Sequence, residues 1–455
     1  MKRRVVILGG GYAGYYTARE LEARLSPEEI RDVEVVLVSR DNHFTCTPML
    51  PSVPSSTLAP RHIVVPVRAR LRHTRFVRAE VTGVDPRAKQ VSLSGPSVAG
   101  GVEPDTLSYD VLVVGLGARP HFFGVEGARE HAITMKTISD AMALRNRILD
   151  VLEAADAEDS ARRRRTWLTI LVVGVGFSGC ETAGELVEFL RRSIALYPRV
   201  TAKDLHVLLV GLDDECMPEI GAALGAWGRR ELEREGVEVR LRTRVTRVAE
   251  DHVVLSTEGG AEQRIETRCV VWTAGIAPVP AILGLTSPGS NGRVRVDGTL
   301  RSPDFDGVFA LGDAALVPRA DGHGDCAPTA QHAMNQAKTA GANVLATLRG
   351  APLATYRYEP RGLMASLGHH KAVARVFGLP VRGFVAWWLW RTYYLLRLPG
   401  FERKLRVALD WTIDLLLPRA TVILRYDGVT RHALTTGTPP ASQPSPPQAG
   451  AERDG

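Results

Sequence analysis

Short runs of apolar, β-branched residues recur along the chain, and several tip straight into glycine before a longer stretch with helical spacing begins. VVILG (5–9) passes through GGYAG into a helix predicted to reach Leu25. VEVVLVS (33–39) follows as a strand, and YDVLVVGLGA (109–118) closes that segment behind a glycine-rich loop at 94–101. Strands buried on both faces read as such unbroken apolar runs, whereas half-buried strands alternate. DAMALRNRILDVLEAA (140–155) has helical spacing, and the charged AEDSARRRR (157–165) reads as a solvated connector.

The pattern then repeats. LTILVVGVG (168–176) opens a second strand–glycine–helix unit. LHVLLVG (205–211), the helix LGAWGRRELEREG (224–236) and the strand VEVRL (237–241) continue the alternation, and VVWTAGIAP (270–278) closes it. GVFALGDAA (307–315) returns to the style of the first segment. Such alternation gives doubly wound parallel sheets. The expected class is α/β, with two Rossmann-like dinucleotide-binding domains, one inserted in the other, and a C-terminal helical segment. The expected limits are 1–150 and 286–355 for the outer domain, 166–285 for the inserted one, and 356–430 for the C-terminal piece. The Pro/Ser/Gly-rich residues 436–455 should be disordered.

A length of 455 residues suits two or three domains, and the balance of 45% apolar and 24% charged residues is that of a soluble globular protein. The net charge of +7 is unevenly placed. Residues 1–360 carry 44 basic and 44 acidic side chains, whereas residues 361–425 carry 11 and 3. A partner should therefore be sought on that late segment. The five cysteines (Cys46, Cys180, Cys216, Cys269, Cys326) form no C-x-x-C or C-x4-C pair, which argues against a disulfide framework, a zinc site or a dithiol redox centre. No metal is expected, and a reducing, cytosolic setting fits best. MKRR precedes too short an apolar run for a signal peptide, and no apolar stretch is long enough to span a bilayer.

The glycines carry the first chemistry. Gly9 permits a tight turn, Gly11 lets backbone approach a pyrophosphate, and Gly14 allows close helix–strand packing. Gly174, Gly176 and Gly179 repeat the arrangement. One fingerprint alone can be only a glycine-rich strand end; two, each opening a strand–helix unit, point to two dinucleotides whose redox rings meet. The carboxylate that usually closes the second strand and holds the adenosine ribose is missing: Ser39 stands there in the first unit and Gly211 in the second. Ser39 can still accept a hydrogen bond, with Asp41 nearby, and Asp213 or Asp214 is the substitute in the second unit. No arginine occupies 212–217 to meet a 2′-phosphate, which favours NADH over NADPH.

The order of these segments resembles the two-dinucleotide flavoproteins, and more narrowly the type II, non-proton-pumping NADH:quinone oxidoreductases. NHFTCTPMLPSV (42–53), LVVGLGARPHFFGVEG (112–127), GFSGCETAGEL (176–186), PTAQHAMNQAK (328–338) and GLMASLGHHKAV (362–373) carry the likeness. It implies that Gly9, Gly11 and Gly14 hold FAD, with Ser39 at its ribose and Thr47 and Pro48 beside the isoalloxazine. Gly312 and Asp313 then lie at the ribityl–pyrophosphate. Gly174, Gly176, Gly179 and Gly275 hold NADH, and Glu181 reaches its nicotinamide end. Ala330, Gln331 and Gln336 border the quinone, menaquinone or ubiquinone. Glu181, Gln331 and Thr47 are the expected catalytic residues. His332 replaces a more usual apolar residue in the quinone motif and is either a proton donor or a packed histidine. Gln331 and Gln336 are five apart, on different sides of a helix, so one of them is expected to miss the quinone. As plain structural residues, Glu181 is a carboxylate favoured in a first helical turn, Asp313 an N-cap, and Cys180 a small packed side chain.

FVAWWLWRTYYLL (384–396) is, as a helix, about 20 Å long, too short for roughly 30 Å of hydrocarbon. In LRVALDWTIDLLL (405–417), Leu405, Leu409, Ile413 and Leu416 share one face and Asp410 and Asp414 another. Four of the seven tryptophans fall within 387–411, next to Arg391, Arg397, Arg403, Lys404 and Arg406. Helices of this kind lie flat on an anionic membrane, and a buried core helix or a homodimer interface is the alternative. The reading is a peripheral enzyme on the cytoplasmic face of the cell membrane, without a nucleic-acid partner. A soluble reductase of ferredoxin or rubredoxin, a sulfide:quinone reductase lacking its cysteines, and a low-turnover flavin sensor are the rivals.

Overall fold

Five apolar runs meet in one sheet, in the order Val308–Ala310, Val111–Val114, Arg3–Leu8, Val33–Ser39, Thr74–Arg78. Every neighbouring pair is parallel. The computed structural model describes residues 2–95, 104–257, 259–287, 289–360, 362–417 and 419–424. Most of the glycine-rich loop expected at 94–101, and the tail at 436–455, lie outside the described residues.

The chain leaves this sheet after Val114 and returns at Val308. In between it builds a second parallel sheet of the same plan: Ala132–Thr134, Cys269–Trp272, Thr169–Val173, His206–Val210, Val237–Arg240. The strand that leads into each glycine turn sits where the strand order reverses, and the crevice outside the carboxyl ends at that point is where open α/β sheets bind ligands. The outward crossing Ala118–Pro120 and the return crossing Ile276–Pro278 pair antiparallel as a two-stranded ribbon.

Each unit also carries a three-stranded antiparallel meander before its last inner strand. These are Glu80–Asp85, Gln90–Ser94 and Thr106–Ser108 in the first unit, and Thr243–Val248, His252–Thr257 and Glu262–Glu266 in the second. Their alternating burial is weaker than the unbroken pattern of the inner strands, and the apolar runs alone do not predict them.

Three expectations change. Ala132–Thr134 lies within the stretch assigned to the first domain up to residue 150, yet it pairs with Cys269–Trp272 in the second sheet. The helix Ile138–Ala157 likewise buries Leu144, Ile148 and Leu152 in the second core. The charged connector at 157–165 contains the helix Ala161–Trp167, because Ser160 caps it by accepting from the Arg163 N–H and arginine is a good helix former. The last helix runs Phe401–Leu416, four residues longer at its start than the apolar spacing indicates.

The C-terminal piece is an antiparallel sheet, Gly362–Ser366, Ala372–Val376 and Leu379–Arg382, followed by the helices Phe384–Arg397 and Phe401–Leu416. It sits hard against the helix Phe177–Ser193: a methyl group on Gly184 would stand 2.6 Å from the Leu367 carbonyl.

Candidate functional site

Both glycine turns have the same construction. Gly9 and Gly174 have φ of +100° and +110°, conformations that other residues rarely adopt. A Cβ on Gly14 would stand 1.9 Å from the Gly9 oxygen, and one on Gly179 1.7 Å from the Gly174 oxygen, so neither position tolerates a side chain. Gly11 and Gly176 differ: a Cβ there would meet nothing within 4 Å. Each is the N-cap of its helix, with no side-chain cap and no acidic residue in the first turn. Unpaired N–H groups and the positive end of a helix dipole facing open space fit a pyrophosphate. Both cradles therefore fit the dinucleotides expected of them.

The surroundings of the first cradle are now concrete. Thr47 begins the short 3-10 helix Thr47–Ser52 and is exposed, with Pro48 half-buried beside it. Beneath them Cys46 is buried, accepts a hydrogen bond from the Tyr12 hydroxyl at 3.5 Å, and is pushed up to about 11 by burial, so it stays a thiol. Asp313 does not cap a helix; its carboxylate pairs with Lys136 Nζ at 3.3 Å. Gln336 is buried, and its side-chain oxygen accepts from the Gly312 N–H at 2.8 Å. Ser39 ends its strand beside Gly10, where a Cβ would stand 2.7 Å from the serine oxygen.

Glu181 lies in the second turn of its helix, not the first, because the helix begins at Phe177. It is buried and accepts from the Ser366 N–H at 3.0 Å. Burial first of all, reinforced by the neighbouring Glu185 charge, pushes it up to about 8, against the pull of the Ser366 N–H and the Trp390 indole. A carboxylic acid at such a value holds its proton at neutral pH and gives it up readily. Tyr394 lies close by, and burial, then the charge on Glu181, raise it well above the usual phenol value.

Ala330, Gln331 and His332 open the helix Ala330–Arg349, which Thr329 caps. Gln331 is half-buried, donates from Nε2 to the Gly362 oxygen at 3.0 Å and accepts from the Tyr358 hydroxyl at 3.1 Å. His332 is packed, with Nδ1 3.0 Å from the Tyr356 hydroxyl, and burial lowers its pKa. Of its two expected roles the geometry favours the packed one.

At the second cradle Gly211 has a packing reason: a Cβ would stand 2.7 Å and 2.8 Å from the two Val175 methyls. Asp214 pairs with Arg242. An arginine thus stands at the end of the second strand after all, supplied from 242 and invisible to a scan of 212–217. Gly275, φ +72°, adjoins the return crossing and accepts from the His121 N–H. Cys180 donates to the Val175 oxygen, which also accepts from the Met217 N–H, so Cys180 and Cys216 lie close together despite their separation in sequence.

The last helix turns Asp410 and Asp414 inward and leaves Glu402 exposed beside Arg406. Asp410 accepts from the Ala59 N–H and meets His62 Nδ1 at 2.5 Å, and Asp414 pairs with Arg419 at 2.5 Å. Leu405, Leu409, Ile413 and Leu416 are at least half exposed, as are Phe384, Val385, Trp388 and Phe401. Three of the four tryptophans expected at a membrane, Trp387, Trp390 and Trp411, are instead buried, and Arg391 is sandwiched between two of them, 3.9 Å from the Trp387 ring and 4.8 Å from Trp411. They fasten the helices to the protein and leave Trp388 outside. Among the described residues no helix is long and apolar enough to cross a membrane.

Residues 3–342 match the family described as pyridine nucleotide-disulphide oxidoreductase, and residues 361–420 match the NDH2 C-terminal domain. The chain is 31% identical over 429 residues to the type II NADH:quinone oxidoreductase Ndh of Mycobacterium tuberculosis, covering 92% of this chain and 89% of that one. NdhA of the same organism is 32% identical over 427 residues, with 91% and 87% covered. Among solved structures, NDH2 from Plasmodium falciparum in complex with NADH superposes with a TM-score of 0.85 at 18% identity, over 93% of this chain and all of that one.

Proposed function

The chain belongs to the type II NADH:quinone oxidoreductases, and from that premise we propose how its residues divide the work. The protein is an FAD-dependent enzyme that passes two electrons from NADH to a quinone and pumps no protons. Bound FAD supplies the electron relay between the two substrates, which leaves the protein to supply position, dryness and electrostatics.

In this reading Gly9, Gly11, Gly14, Ser39, Gly312 and Asp313 hold FAD, with Thr47 and Pro48 at its ring. Gly174, Gly176, Gly179 and Gly275 hold NADH. Glu181 stands at the nicotinamide end and keeps a proton there. Ala330 and Gln331 border the quinone, while Gln336 serves the Gly312 turn behind it. The limits of the inserted domain move outward to the two-stranded ribbon, near 118 and 278. The observation that carries the reading is the pair of open glycine turns, each at the switch point of its own parallel sheet.

Quinone dissolves in lipid, so the outward apolar faces of the last two helices support docking on an anionic membrane from the cytoplasmic side, with Arg397, Arg403, Lys404 and Arg406 beside them. A homodimer that leaves these faces to the membrane is compatible with this proposal. A soluble ferredoxin or rubredoxin reductase has no use for these faces.

The test is oxidation of NADH by the purified holoenzyme with a short-chain quinone, followed beside the absorbance of the bound flavin. Flavin bleached by NADH and recoloured by quinone is the expected result. Bleaching without reoxidation by any quinone sinks the reading.

A further inference from the structure

The strand His206–Val210 runs into Gly211, and the end of that strand is where a unit of this kind holds the adenosine ribose of its dinucleotide. A carboxylate there accepts from the ribose hydroxyls and repels a 2′-phosphate. This chain has no room for one: a Cβ on Gly211 would stand 2.7 Å and 2.8 Å from the Val175 methyls and 3.1 Å from the Val175 nitrogen. The residue type that turns such a site against NADPH is therefore excluded by packing. The charges that remain at the strand end decide what binds.

Those charges come from two segments. Asp213 and Asp214 follow the strand and are exposed. Arg242 comes from the turn between Val237–Arg240 and Thr243–Val248. Backbone bonds seat that turn on the strand end. The Gly211 N–H donates to the Arg240 oxygen at 3.1 Å, the Arg242 N–H to the Asp213 oxygen at 3.3 Å, and the Thr243 N–H to the Gly211 oxygen at 2.8 Å. Arg242 Nε then donates to Asp214 Oδ1 at 2.5 Å. Neighbouring charges are directed elsewhere. Arg240 pairs with Glu238 at 2.6 Å and donates to Gln263 at 2.7 Å, and Glu215 reaches over Gly225.

Two features set Arg242 apart from an ordinary surface charge. Its φ is +50°, a left-handed conformation that glycine or asparagine adopts more readily, and strain of this sort gathers at binding sites. Its pair with Asp214 is open to water, with the two side chains 61% and 75% exposed. Exposed ion pairs are weak, so the carboxylate is exchangeable. A phosphate offers the guanidinium fork the same two-oxygen geometry with more charge.

We propose that the inserted domain takes NADPH as well as NADH, and that Asp214 and Arg242 divide the two. Asp214 accepts from the ribose 2′-hydroxyl of NADH; Arg242 leaves Asp214 for the 2′-phosphate of NADPH. The proposal rests on the placing of NADH in the second cradle given above. The 2′-phosphate is remote from the carbon that gives up the hydride, so the reaction itself is unchanged. NADPH, one proton and quinone give NADP⁺ and quinol, with the hydride and the solvent proton supplying the two hydrogens. Asp213, exposed on the same segment, repels the phosphate and keeps NADH the better substrate. Salt screens an exposed phosphate more than it weakens a hydroxyl's hydrogen bond, so the preference for NADH grows with ionic strength.

The experiment measures kcat/KM of the flavin-loaded enzyme for NADH and NADPH with a short-chain quinone at low ionic strength. NADPH should stand within about twentyfold of NADH. In Arg242→Gln the NADPH:NADH ratio should fall about tenfold or more, through KM, which is the worth of one charged hydrogen bond. Asp214→Asn should raise the ratio severalfold, and Arg242→Lys should keep part of it. Arg244→Gln, an exposed cation two residues on, should leave it within about twofold. Calorimetric titration with adenosine 2′,5′-bisphosphate beside adenosine 5′-monophosphate reads the site without turnover. The extra phosphate should tighten binding in the wild type and cease to do so in Arg242→Gln. Flavin content and Tm report folding. A wild-type NADPH value weaker than twentyfold below NADH overturns the inference, as does an unchanged ratio in Arg242→Gln or an equal drop in Arg244→Gln. If NADH works and NADPH does not, only this inference fails; if NADH also fails to bleach the flavin, the reading it rests on fails with it.

Discussion

Gln336 holds Gly312: its side-chain oxygen accepts the glycine N–H at 2.8 Å from inside the protein, while Gln331, five residues earlier on the same helix, reaches Gly362 and Tyr358 instead. Two glutamines of one motif thus serve different neighbours. Gln336→Leu strands a partly buried N–H at a cost of about 1 kcal/mol or somewhat more, and flavin should leak from the variant on dilution, with a lowered Tm. Gln331→Ala should keep its flavin and its reduction by NADH while losing quinone turnover. Flavin release assayed by fluorescence, beside the two half-reactions, separates them. Equal loss of both half-reactions in Gln331→Ala would refute its assignment to the quinone.

The pH dependence follows from Glu181. With its value pushed up to about 8, it is protonated below that pH and loses the proton above it. Quinone turnover should fall as pH rises through about 8, and Glu181→Gln should lack that limb. Stability has its own sign. The unfolded chain releases this proton near the ordinary carboxylate value, the folded one near 8, so the folded state binds more protons in between and stability declines across that window as pH rises. The Tm of Glu181→Gln relative to wild type should therefore climb from pH 5 to pH 8. A difference flat with pH would contradict the buried, protonated carboxyl.

Removing residues 384–425 is a poor test of membrane docking, because Trp387, Trp390, Trp411 and Arg419 are part of the interior. Leu409→Asp with Ile413→Asp alters only the outward face. Sedimentation with anionic vesicles should drop severalfold, while turnover with a water-soluble quinone stays near wild type. Unchanged sedimentation would place the docking surface elsewhere.

Gly211→Ala should be destabilising by about 1–3 kcal/mol, through overpacking against Val175. Val175 lies within the second glycine turn, so the KM for NADH should rise with it. The double variant with Val175→Ala should regain both Tm and KM. A Gly211→Ala protein with wild-type KM and Tm would mean that the missing carboxylate has some cause other than packing.

Much of this architecture was legible because parallel inner strands are unbroken apolar runs and because glycine turns at their ends leave a spaced signature. Gly9, Gly11 and Gly14, and their counterparts at 174, 176 and 179, announce themselves for that reason. The meanders were not legible, since short half-buried strands alternate and borrow their polarity from solvent. Ala132–Thr134 is only three residues long and owes its strand to Cys269–Trp272. Arg242 beside Asp214, and Ser55 beside Glu185, are neighbours made by topology, which no local pattern encodes. The spacing of Glu181 and Glu185 was visible in the sequence; their burial was not.

Both covalent links between the two nucleotide-binding halves run through the ribbon of Ala118–Pro120 and Ile276–Pro278. With the two dinucleotides placed as proposed, that ribbon would set the gap between the reacting rings. Slipping its register by one residue would move one half by about 3.3 Å, while an error of about 1 Å can already cost a hundredfold in rate. Indels in either crossing should accordingly be far less tolerable than their distance from the rings suggests.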